Sequence, residues 1–245
     1  MTTRIDRIWP DPADNLSADD LVDGLRPGVR VNFVSSIDGA ATHDGLSGGL
    51  SGPADKRRFE LLRRVCDVVL VGAGTVRDEG YGPMRVSEAS ARWRVEHGMP
   101  EHPVFAIVSG HLDLDPGSRV FTEAPVRPIV VTSGRASALD RFEGLADLIV
   151  AGEQHVDLVA ALESIRGRGL TRVLCEGGPT LFGSLLAADA VDELCITIAP
   201  SLEAGDSRRI SAGEVPQARA MRLDQVLRSA DTLLLRYSRV GHSQA

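Results

Sequence analysis

The stretch RVLCEGGPTLFGSLL, residues 172–186, constrains the fold more than any other part of this chain. Val173, Leu174 and Cys175 make a short apolar strand that runs into paired glycines, Gly177 and Gly178. Pro179 follows, suited to a first helical position because an N–H there has no intrahelical partner to lose. Leu181, Phe182, Leu185 and Leu186 then fall on one face of a helix. A strand, a glycine turn and a helix in this order form a unit of a layered α/β sheet. The unit also suits chemistry: glycines let backbone approach a ligand closely, and the free N–H groups and dipole of a helix start favour an anion. Glu176 stands at the lip of the turn. A phosphate-bearing ligand is the first expectation, beside the plainer reading of an ordinary turn.

A chain of 245 residues, 43% hydrophobic and 25% charged, can bury a full core. Its formal charge of −7 argues against nucleic acid or an anionic membrane as a partner. No apolar run reaches the length of a membrane span, and the N-terminus shows no secretory pattern. Cys66, Cys175 and Cys195 lie far apart among apolar neighbours, and the six histidines form no ligand cluster. A cytoplasmic protein with reduced core cysteines and no metal is expected.

The first 28 residues, rich in Asp and Pro, read as an N-terminal extension: an extended lead-in with a helical turn or two around Leu16 to Leu25. Residues 29–245 read as a single domain. Strands are expected at Val29 to Ile37, Asp67 to Val76, Val104 to Ser109, Pro128 to Thr132, Asp147 to Val150, Asp192 to Ala199 and Thr232 to Tyr237. Helices are expected after Pro53, over Val156 to Arg166 and after Pro179. In the first of these, Phe59, Leu62, Val65 and Cys66 form an inner face, with Asp55, Lys56, Arg57, Glu60 and Arg64 opposite. The pattern predicts a mainly parallel sheet flanked by helices on both faces, closed by antiparallel C-terminal edge strands.

Open α/β sheets bind ligands at the carboxyl ends of their strands. Three loops fall there: Ser35 to Gly39 with Asp38, Gly72-Ala73-Gly74-Thr75, and Glu176 to Leu181. Two glycine turns side by side can hold the phosphates of a dinucleotide, with a carboxylate in the same crevice.

The segments VNFVSSIDG, GPADKRRFELLRRVCDVVLVGAGTV and EGGPTLFGSLLAADAVDELCITIAP together resemble the reductase domain of the bifunctional riboflavin-biosynthesis deaminase-reductases. The resemblance runs from about Val29 to the C-terminus and is greatest to stand-alone actinobacterial members. It implies a dihydrofolate-reductase-like fold and NADPH-dependent reduction of a ribosylamino-pyrimidine phosphate. This chain has no H-x-E with a P-C-x-x-C partner, so the deaminase chemistry is absent from its residues. On the cofactor side the resemblance implies Gly177, Gly178, Pro179, Thr180, Leu181 and Phe182 at the pyrophosphate, with Gly72, Gly74, Thr75 and Glu79 beside it. Ser133 would touch the nucleotide, and Arg135 would pair with the 2′-phosphate or else be a solvated turn residue. On the substrate side it implies Glu176, Ser47 and, across an alignment gap, Arg85 at the substrate phosphate. Asp38 is the candidate catalytic acid, its alternative being a residue that caps its own loop.

Two departures fall on the substrate side. The family commonly reads T-V-L-A-D-[DN]-P where this chain has Thr75-Val76-Arg77-Asp78-Glu79-Gly80-Tyr81, and Gly49 stands where many members carry an aromatic residue. Reduction of dihydrofolate or another pterin is therefore the alternative substrate reading, and NADPH binding without catalysis the alternative outside enzymes. A homodimer through the closing strands is expected, as family members form.

Overall fold

A computed structural model describes residues 3–213 and 218–241; the end of the expected domain, 242–245, lies outside them. Ten strands form one sheet: β1 (Asp6–Trp9), β2 (Gly28–Ser36), β3 (Val68–Gly72), β4 (Val104–Val108), β5 (Ile129–Thr132), β6 (Asp147–Val150), β7 (Arg172–Cys175), β8 (Glu193–Ala199), β9 (Met221–Ser229) and β10 (Thr232–Arg239). Their spatial order is β1-β9-β10-β8-β2-β7-β3-β4-β5-β6. The seven strands from β8 to β6 run parallel, and β10, β9 and β1 add antiparallel pairings at one side.

Strand alternation distributes the core onto two faces. Val68 and Leu70 join Val29, Val31, Val173 and Cys175 under α5 (Leu158–Arg166) and α6 (Pro179–Ala187). Val69 and Val71 join Leu62, Phe105, Ile107 and Leu174 on the side of α1 (Pro53–Val65), α2 (Ala73–Asp78) and α4 (Arg119–Thr122). The cysteines are buried and free, and burial pushes the thiols of Cys66 and Cys175 up to about 12. Among the described residues, no helix is long and apolar enough to cross a membrane.

Packing extends two expectations and corrects one. The N-terminal extension joins the sheet: β1 pairs with β9, and Ile5, Leu16 and Leu21 bury against Leu61, Leu227 and Leu234. The closing strands pair antiparallel at one side of the sheet, as expected, with β9 and β1 added outside β10. Finally, α1 has no single solvated face. It is enclosed by the sheet, the N-terminal segment and α3 (Glu88–Glu96), so Asp55 and Arg64 are buried, Arg64 reaching Asp19 at 2.8 Å with its guanidinium over the Trp93 ring.

Candidate active site

A cleft of about 920 Å³ opens at the carboxyl ends of β2, β3 and β7. Its floor is the Glu176–Pro179 turn. The Gly72 N–H donates to the Gly177 carbonyl at 2.8 Å, and the Glu176 N–H to the Leu70 carbonyl at 3.1 Å, so the turn is stitched to β3. Gly177 has φ +103°, a conformation only glycine adopts readily, and the Gly177–Gly178 peptide is cis. A Cβ on Gly178 would collide with the Thr75 hydroxyl. Beyond the turn, no side chain caps the start of α6, so its first-turn N–H groups have no intrahelical partner and no side-chain cap.

Glu176 is the chemical centre of one wall of the cleft. Its side chain has no exposed surface. Both oxygens accept from Arg63, through Nε and Nη2 at 2.6 Å each, and Oε2 also accepts from the Tyr81 hydroxyl at 2.9 Å. Arg63 lies over the Phe59 ring at 4.4 Å. Burial disfavours the Arg63 charge, but the Glu176 carboxylate outweighs it and holds the guanidinium pKa above its ordinary value. Burial, and next the charge on Glu176, pushes the Tyr81 phenol up, so it stays protonated and donates. On the opposite wall, the Ser47 N–H donates to Glu79 Oε1 at 3.0 Å and ties the glycine-rich loop to the end of α2.

This pairing of a glycine turn at an uncapped helix start with a buried acid–arginine pair agrees with what sequence comparison finds. The family model described as RibD C-terminal domain matches residues 27–235. The chain belongs to that family. It is 33% identical over 192 residues to a 2,5-diamino-6-ribosylamino-4(3H)-pyrimidinone 5′-phosphate reductase of Methanothermobacter thermautotrophicus, covering 78% of this chain and 86% of that one. The enzyme of the same description from Archaeoglobus fulgidus is 30% identical, over 78% and 88% of the two chains. Among solved structures, a pyrimidine reductase-like protein from Corynebacterium diphtheriae superposes with a TM-score of 0.81 at 25% identity, covering 92% of this chain and all of that one.

Within the RibD-type framework, most of the residues expected from sequence fall into four groups. Ser47, Thr75, Glu79, Glu176, Gly178 and Pro179 line the one cleft. Gly72 and Gly177 lie at its back, and the side chains of Leu181 and Phe182 are buried in the core, Phe182 stacked on Phe33 at 5.0 Å, so only their backbone faces the turn. Ser133 and Arg135 follow β5, three strands from β7 on the same sheet edge; the Ser133 hydroxyl donates to the Gly110 carbonyl at 3.0 Å, and Arg135 is exposed.

Asp38 and Arg85 stand apart from the cleft. Asp38 accepts from the Ser36 hydroxyl, from the Glu203 N–H at 3.1 Å and from the Ala204 N–H at 2.8 Å. The hydroxyl first, then the two backbone amides, hold its carboxyl down to about 2. It braces two loops against each other, as the loop-capping alternative has it. Arg85 turns its guanidinium to the Glu123 carbonyl at 3.0 Å. The basic side chains that do line the cleft are Lys56, Arg63 and Arg208.

Sequence reasoning missed Arg63 and Tyr81. The signal for Arg63 was its place four residues after Phe59, on a helical face that reaches the strand ends. Tyr81 stood in plain view as the residue replacing the family proline.

Proposed function

We propose that this chain is a cytoplasmic NADPH-dependent reductase of a ribosylamino-pyrimidine phosphate. One observation carries the reading: a single cleft joins the uncapped start of α6, at Gly178 and Thr75, to the buried Glu176–Arg63–Tyr81 cluster. The names of the archaeal relatives support it.

The turn fits a dinucleotide on its own geometry. Glycines 72, 177 and 178 keep Cβ atoms away from the floor, and the free N–H groups of the first turn of α6 suit a pyrophosphate. Gly74, Thr75 and the Gly177–Phe182 backbone would hold the cofactor there, Glu79 flanking it. Ser133 and Arg135 lie about 14 Å across the strands, within reach of a nucleotide 2′-phosphate. Bound in this way, a reduced nicotinamide supplies the hydride. Glu176 acts on the pyrimidine through its partners: its buried carboxylate fixes the Arg63 guanidinium and the Tyr81 hydroxyl against the substrate. Lys56 and Arg208 take the substrate phosphate in place of Arg85. The same reading pairs the chain with a second copy through the outer face of β8, β10 and β9.

A pterin is the second substrate reading, favoured by Gly49. A side chain there would meet His43 Cβ at 2.9 Å, so His43 fills the space that the aromatic residue common in the family would need. An NADPH oxidation assay with the ribosylamino-pyrimidine phosphate and dihydrofolate side by side separates the readings. Turnover of the phosphate is expected. Faster turnover of dihydrofolate moves the assignment to pterins, and tight NADPH binding with neither turned over leaves a binding protein.

A further inference from the structure

At the other end of the sheet from the cleft, a second pocket of about 750 Å³ opens between the starts of β2, β8 and β9 and the end of β10. Arginines crowd it: Arg26, Arg30, Arg222, Arg236 and Arg239 line it against three carboxylates, Asp192, Glu193 and Asp224. Those carboxylates are already engaged. Glu193 takes Arg30 at 2.7 Å, Asp224 takes Arg222 at 3.1 Å, and Asp192 accepts the Val29 N–H at 2.7 Å. Arg239 turns to Asp189, beside the pocket.

Arg26 and Arg236 are left with no carboxylate. Arg26 is exposed and makes no side-chain contact among the described residues. Arg236 donates through Nη1 only to the Asp23 carbonyl at 2.6 Å, and its Nε is buried without a partner. Behind the pocket, Arg58 is 4% exposed and its Nη1 is likewise unpartnered; it lines a small internal cavity with Gln225, whose Oε1 has no partner either. Burial, and in lesser part the neighbouring charge of Arg236, depresses the Arg58 pKa. Positive charge is thus concentrated in and behind a half-enclosed pocket of a chain whose formal charge is −7. Buried donors without acceptors are costly, and a guanidinium presents a planar fork that matches phosphate oxygens.

We propose that this pocket is a second ligand site, separate from the reductive cleft, which takes the phosphate or pyrophosphate of a phosphorylated small molecule between Arg26 and Arg236. Its volume admits a ligand of nucleotide size. It lies a full strand length from the Glu176 turn, so its occupancy does not depend on what the cleft reduces.

The test is a titration of the full chain with inorganic pyrophosphate, followed by NMR of the arginine Nε–H groups, with sodium chloride at equal ionic strength as control. The Arg26 and Arg236 signals should shift on one saturable curve distinct from that of Arg63, which reports the cleft, and chloride should not reproduce it. Arg26→Gln, a surface change that leaves the fold alone, should weaken this curve by about tenfold. Arg228→Gln, outside the pocket, should leave it unchanged. A response confined to Arg63, a non-saturating shift matched by chloride, or full affinity in Arg26→Gln would overturn the proposal.

Discussion

A carboxylate with no exposed surface needs a cation beside it, and Arg63 meets both oxygens of Glu176 in the fork geometry that guanidinium favours. Replacing Glu176 by Gln leaves that arginine largely buried without its counter-charge. We expect a loss of about 3 kcal/mol in urea unfolding together with loss of turnover. Tyr81→Phe is milder: one hydrogen bond is lost while Arg63 still holds the carboxylate, so stability should fall by about 1 kcal/mol and the effect should appear chiefly in substrate KM. An unchanged KM would remove Tyr81 from the substrate wall. Asp38 is predicted to matter for folding and not for chemistry. Its folded pKa of about 2 lies below the ordinary 3.8, so protons bind the unfolded carboxylate first as pH falls. Its contribution is therefore intact above about 3.8 and fades as pH drops towards about 2. Asp38→Asn should be less stable than the parent at neutral pH, with the gap closing across that acid window, and should keep normal turnover; a large kcat loss would return Asp38 to the chemistry. Glu176 could be found in the sequence because it abuts the glycine turn. Arg63 was harder to find: its only signal was its place four residues after Phe59, and a helical arginine reads as solvated until the three-sided enclosure of α1 is known.

Among the elements, the β7 turn and α6 carry the sharpest expectation. Gly178→Ala drives a methyl group into the Thr75 hydroxyl, so NADPH affinity followed by fluorescence should fall at least tenfold. Adding Thr75→Ala removes the clashing oxygen; the double variant should regain the parent's thermal stability without its affinity, because the methyl group still stands on the phosphate floor. One strand group away, Arg135→Ala should raise the Kd for NADPH and leave that for NADH unchanged, and equal losses for both would make Arg135 a mere solvated residue. The parallel strands were legible because each is a short apolar run ended by glycine, serine or a polar turn, and β6 lies where the sequence places it, Asp147–Val150. β9 was not: MRLDQVLRS carries Arg222, Asp224 and Gln225, and a register shift against β10 breaks its alternation. β1 has only four residues, and it becomes a strand because β9 offers an unpaired edge.

The whole molecule has one sheet face that its own helices leave uncovered. Register places Trp9, Val226, Leu235 and Ile196 in a row across β1, β9, β10 and β8, with Leu233 opposite Ile198 and Tyr237 opposite Leu194 in parallel rows. Only beyond Ile196, at Phe33, does the row reach α6, through Phe182. Two such faces packed together would remove these rows from water, and light scattering should report twice the chain mass of 26.1 kDa. Leu235→Lys should reduce that to a single chain while the fold persists, and a parent that is already monomeric would end the dimer reading. The pocket rich in arginine and the cleft sit at opposite ends of this sheet; the cleft could be placed from sequence at the carboxyl ends of the strands, but the arginine pocket could not, since it is assembled without a motif from segments more than a hundred residues apart.

The small N-terminal strand has a consequence for how the protein can assemble. With β1 in place, the chain closes its own edge on that side: the Arg7 N–H and carbonyl pair with Ala13, and the Leu16 N–H donates to the Ile5 carbonyl, so little free backbone is left for a further strand. Stripped of its first ten residues, the molecule would instead present the nine-residue β9 as a bare template. A closed pair could then give way to open-ended fibres, and this short strand would be the stop that keeps growth finite.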